Sequence, residues 1–224
     1  MAAQGHAAGS HEDSVYFQYE TLEQQQETYL LGMWAFLLTE IMMFGALFLI
    51  YTVYRFQYQH DFFIYHEELD WKLGGLNTVI LLSSSFSMAL AVHYHQLKKK
   101  AATLWCLAFT NLCAFGFLGV KTIEYGEKFK HNLFPNDTFV WSSALHGGNP
   151  EHARIFFSLY FAMTGLHGVH VLIGILVITT LMVLIAKNHR LITDYLPTEM
   201  VGLYWHFVDL VWIFLYPLYY LIPK

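Results

Sequence analysis

Five stretches of the chain stay apolar for long enough to cross a bilayer, with polar clusters between them. They cover about residues 29–54, 74–97, 101–125, 153–186 and 198–222. A hydrocarbon core about 30 Å thick needs about 20 helical residues, and each stretch reaches that length. Backbone groups in lipid must be bonded within the protein, so the pattern predicts helices. A β-barrel would alternate every second residue instead, and no such alternation is present. The predicted fold class is all-α: a polytopic membrane protein built as a bundle of five transmembrane helices. The second span ends in "LKKK", and Pro197 suits the first turn of the last one. Short polar turns join the spans, apart from residues 128–152, whose Asn, Pro and Gly content predicts irregular surface structure. Residues 1–28 read as a polar N-terminal tail. They lack the basic start and apolar centre of a signal peptide, and His6 and His11 within them are expected to be solvated.

Composition strengthens the membrane reading. Of 224 residues, 56% are hydrophobic and 13% charged, about half the charged share of a soluble domain. The 18% aromatic content suits interfacial belts and packed spans. The net charge is −5 and no large basic block occurs, so nucleic acid is not an expected partner. Cys106 and Cys113 lie on one predicted helix, about 10 Å apart along its axis, too far for a disulfide. They make no metal-ligand pattern and are read as small apolar core residues. Positive charge is densest in the turns holding Lys98, Lys99, Lys100, Lys187 and Arg190. That density predicts a cytoplasmic N-terminus.

Ionisable residues inside the spans need a partner or a purpose, because insertion of one near the bilayer centre costs at least about 2.5 kcal/mol. Glu40, in "LLTEIMMFGALF", falls near mid-membrane. Its two readings are a carboxyl that ties helices together and a site of proton or lipid chemistry. His167 and His170 share a helical face about 60° wide, and Ala162, Gly165 and Gly168 give that helix a small-residue surface for close approach. His206 and Asp209 repeat the three-residue spacing in the last span. These groups are expected to hydrogen-bond across helix interfaces, Glu40 included. Lys121 and Glu124 are placed to pair or to snorkel, Glu199 lies in the first turn of the last helix, where the dipole favours a carboxylate, and Asn77 with "SSSFS" forms a hydrogen-bonding face. A bis-His haem would need one imidazole from each of two helices. His170 and His206 satisfy that count, but each has a nearer polar neighbour. Copper or iron would need three convergent ligands, and the spacing supplies none.

Several of these stretches together resemble subunit III of the haem–copper oxidases, the cytochrome c oxidase subunit 3 family, in its short five-helix bacterial form. "YWHFVDLVWIFLY" and "TGLHGVHVLIG" carry the resemblance most specifically. "GMWAFLLTEIMMF", "LNTVILLSSSFS" ending in His93, "KTIEY" around Glu124, and Glu199 seven residues before His206 extend it over about residues 25–224. Two departures stand out: the two further helices of the long form are missing, and Lys121 replaces the family's glutamine.

The resemblance implies an accessory, non-redox subunit with no cofactor of its own. Haem and copper would belong to partner subunits that reduce oxygen and move protons. The main contact would be subunit I, near its proton-uptake entry, with subunit II also present, phospholipid bound, and a larger respiratory supercomplex conceivable. It places a buried polar, lipid or proton-support role on Glu40, His93, Glu124, His167, His170, Glu199, His206 and Asp209, in a multi-pass protein of the bacterial inner membrane. Three alternatives remain open from the residues alone: the related subunit of nitric oxide reductases, a stand-alone dihaem electron carrier, and a proton transporter built on Glu40 and Asp209. The absence of an internal repeat weighs against the last.

Overall fold

A computed structural model describes residues 19–136, 139–141, 147–188 and 195–221. Those residues form six helices: α1 (Leu22–Gln57), α2 (Gln59–His66), α3 (Trp71–Gln96), α4 (Lys100–Lys130), α5 (Pro150–Ala186) and α6 (Leu196–Tyr220). All but α2 are long and apolar enough to span a membrane, so the chain is an all-helical, multi-pass membrane protein. His6 and His11 lie outside the described residues.

Local sequence explains the helix starts. Thr21 Oγ1 accepts from the Gln24 N–H at 3.2 Å, Asp70 Oδ1 from Lys72 at 2.8 Å and Asn149 Oδ1 from Glu151 at 3.0 Å. Each cap satisfies an N–H that the first turn leaves without a partner. Pro150 and Pro197 sit in first turns, where a missing N–H does no harm. Lys98, with φ 57°, reverses the chain between α3 and α4.

α2 was not expected, since residues 55–73 read as a polar turn. It is a capping helix that Phe62 and Tyr65 bury against α5. Phe62 meets Phe156 edge-on at 5.2 Å, the Tyr65 hydroxyl donates to the Asn149 carbonyl at 2.7 Å, and Asp61 Oδ2 lies 2.5 Å from His152 Nδ1. Burial above all, with the Asp61 charge adding to it, pushes the Tyr65 phenol pKa up and keeps the hydroxyl a donor.

Helices α3, α4, α5 and α6 make the core. α3 lies against α4 and α6, and α5 lies against the same two, so α3 and α5 face each other diagonally. Close approach uses glycines other than those expected. Gly165 and Gly168 have almost nothing near them, whereas Gly174 receives the Trp205 ring and Gly74 the rings of Tyr216 and Tyr220. α1 leans on α5 and α6 along one stripe and leaves most of its apolar surface outward.

Candidate functional site

Three groups of polar side chains inside the spans contain the ionisable residues singled out by the sequence. The first ties α1 to α5. His170 Nδ1 faces the Leu166 carbonyl at 2.8 Å and Nε2 faces Glu40 Oε2 at 3.0 Å. A nitrogen aimed at a carbonyl must carry hydrogen, so Nδ1 is the donor there. The Nε2–Glu40 contact then needs one further proton, held by either partner. Phe44 closes over the imidazole at 5.4 Å, and the Tyr204 hydroxyl donates to the His170 carbonyl at 3.0 Å. Glu40 thus meets α5 inside a mostly apolar wall.

The second group joins α3 to α6. Ser85 Oγ lies 2.7 Å from His206 Nδ1 and the Trp205 Nε1–H donates to Ser84 Oγ at 2.9 Å, while Ser87 turns to α4 and donates to the Cys106 carbonyl at 2.9 Å. Asp209, on the same helix as His206, is buried, and neither of its oxygens meets hydrogen-bond geometry with any group. The Ser85 hydroxyl comes near it but engages His206. His93 is exposed, with the Tyr94 ring 5.8 Å away, because it points off the buried stripe of α3. Its neighbour His95, which the sequence did not single out, makes the cross-helix bond instead, 2.6 Å from Thr198 Oγ1. Glu199 is half-buried in the first turn of α6.

The third group sits in the core beside α4. Glu124 is 1% exposed and Lys121 7%, so the pair is buried rather than snorkelled. Lys121 Nζ donates to Glu124 Oε2 at 2.9 Å and to the Tyr220 hydroxyl at 2.7 Å. The hydroxyls of Tyr160, at 2.8 Å, and of Tyr220 both donate to Glu124 Oε1. The ammonium also lies 4.7 Å from the Trp212 ring centre, within reach of a cation–π attraction. The two tyrosines could not be paired with Glu124 from sequence, since they come from α5 and α6. His167 departs from expectation. It makes no hydrogen bond with either ring nitrogen, stacking on Trp212 at 5.4 Å with Phe117 edge-on at 5.4 Å.

His170 and His206 do not fit an axial haem pair, because both ring nitrogens of His170 are engaged within the chain and His206 turns to α3. Among the described residues no three His, Cys, Asp or Glu side chains converge as metal ligands.

The chain matches a known family across almost its whole length. The family model described as "Cytochrome c oxidase subunit III" covers residues 11–223. The chain belongs to that family. It is 29% identical to the "Probable quinol oxidase subunit 3" of Staphylococcus haemolyticus, over 86% of this chain and 88% of that protein. The Staphylococcus aureus (strain USA300) protein of the same description is 28% identical over the same shares. A "Cytochrome c oxidase subunit 3" from Rhizopus stolonifer is 33% identical over 65% of this chain and 45% of its own length. As a haem–copper oxidase subunit III, the protein works in association with other oxidase subunits in a respiratory membrane, and its family is one of accessory subunits.

Proposed function

We propose that the chain is the non-redox subunit III of a proton-moving terminal oxidase, packed mainly against subunit I with subunit II nearby. The haem and copper lie in those partners. In this role it stabilises the largest subunit and its proton-uptake entry, and holds phospholipid at its surface. Glu40, His93, Glu124, His167, His170, Glu199, His206 and Asp209 serve as polar supports, none of them as a redox ligand. One observation carries the reading most. Carboxylates inside the spans meet polar groups from other helices, Glu40 on α1 the imidazole of His170 on α5, and Glu124 on α4 the hydroxyls of Tyr160 on α5 and Tyr220 on α6, which is what a scaffold requires. The broad apolar face of α1 supplies surface for lipid or a neighbouring subunit, and exposed His93 faces outward where either would lie. The assembly resides in the bacterial inner membrane with the N-terminus cytoplasmic. Relatives described as oxidase subunits favour this over a nitric oxide reductase.

The test is purification in mild detergent through a tag at Lys224, followed by an optical spectrum and mass spectrometry. The expected result is haem–copper bands from co-purifying large subunits and no haem on this chain after separation. A monodisperse chain without partners, or one carrying haem of its own, would overturn the reading.

A further inference from the structure

Among the described residues, the buried side-chain atoms without a hydrogen bond are the amide oxygen of Asn111, the Tyr219 hydroxyl and both polar atoms of three further side chains. Asn77 on α3 and His167 on α5 are each 0% exposed, and Asp209 on α6 is 3% exposed, yet neither amide atom of Asn77, neither nitrogen of His167 and neither oxygen of Asp209 meets a partner. Trp212 links the three, one by ring contact and two by chain position. His167 stacks on it at 5.4 Å. Its Nε1–H donates at 3.1 Å to Thr78, the neighbour of Asn77, and Asp209 lies one helical turn before it on α6. About two turns away along α5 and α6, by contrast, the Lys121, Glu124, Tyr160 and Tyr220 groups satisfy one another.

Buried polar groups in folded proteins are almost always bonded, to protein or to ordered water. A partner subunit cannot reach side chains that their own bundle already covers. Nor can lipid, which brings no donors to this depth. Water can: a buried molecule makes about three hydrogen bonds to groups otherwise left without partners. We infer that the Trp212 layer is an internal water-binding site, in which Asn77, His167 and Asp209 hold ordered water inside the α3–α4–α5–α6 bundle. The chemistry suits it, since Asn77 brings donors and an acceptor, neutral His167 one of each, and Asp209 two oxygens. Ser85, placed between His206 and Asp209, extends the layer toward α3.

Two measurements on the purified complex decide it. A map sharp enough to show ordered solvent should hold water density within hydrogen-bond distance of His167 and Asp209. Direct side-chain pairing with no such density overturns the inference. The second measurement uses Asn77→Leu, His167→Phe and Asp209→Leu, singly and in pairs, read by thermal release of this chain. A hydrated layer predicts that each single change lowers the midpoint, because the water loses a ligand, and that paired changes lower it by less than the sum. In a dry layer each substitution removes an unsatisfied group, and a rise in midpoint would overturn the inference. If a variant fails to assemble, the map of the unaltered complex still decides.

Discussion

Replacing Lys121 with methionine should destabilise the bundle severely, and replacing Glu124 at the same time should restore it. The lysine is 7% exposed and holds Glu124 at 2.9 Å and the Tyr220 hydroxyl at 2.7 Å. Removing one partner of a buried ion pair leaves an uncompensated charge, worth about 3–5 kcal/mol. Here Glu124 would retain the Tyr160 and Tyr220 hydroxyls, and hydrogen bonds to a charged group are worth about 1.5–3 kcal/mol each. That places the loss near the lower end, about 3 kcal/mol. At this chain length one kcal/mol moves a thermal midpoint by about 2–4 °C, so the drop should be about 6–12 °C. The double change Lys121→Met with Glu124→Leu removes both charges, and the two tyrosine hydroxyls, 3.3 Å apart, can bond each other. Its midpoint should return to within about 1 kcal/mol of the starting protein. Lys121→Gln, which keeps a hydrogen-bond donor but not the charge, should fall between. The assay is thermal release of this chain from the detergent-solubilised complex. An unmoved midpoint for Lys121→Met, or a double variant as weak as the single ones, would refute the reasoning.

Three further outcomes follow from the same geometry. Gly174→Ala would put a Cβ 2.5 Å from Trp205 Cζ3, and overpacking of this kind costs about 1–3 kcal/mol. Gly168→Ala, with nothing within 4 Å, should leave the midpoint unchanged as its control. Glu40→Leu strands the His170 Nε2 inside the α1–α5 wall and should cost about 1–3 kcal/mol. It should also raise protease or crosslinker access along α1, whereas preserved protection would count against the tie. Gly148→Ala meets both a φ of +73° and the Tyr65 ring at 2.8 Å, so cleavage of the segment ahead of α5 by added protease should rise; equal resistance would show that the turn tolerates a side chain.

The parts of this molecule legible in the sequence are those that one helix decides alone. Span length and apolarity depend on local composition, so the five long helices follow from the pattern, as does Pro197 in a first turn. Pairs separated by three residues are visible too, because both members ride one helix; Lys121 and Glu124 meet as that spacing allows. Contacts between helices are another matter, since they depend on rotation and register that no single span encodes. His93 and His95 differ by about 200° around α3, and only the packing against α6 decides that His95 reaches Thr198 while His93 faces outward. The same uncertainty hid the tyrosines around Glu124 and the glycine that admits Trp205. It also explains the opposite fates of His167 and His170. Both lie on the buried side of α5, but one turn of α1 brings Glu40 to the second, while the first meets only rings. A histidine facing aromatic rings in a dry-looking core has no local signature, and its demand for a partner emerges only when the neighbouring helices are in place. The apolar spans therefore set the scaffold, and the few polar groups, through the crossings at which they meet or fail to meet, mark where this subunit is tied together and where it holds water.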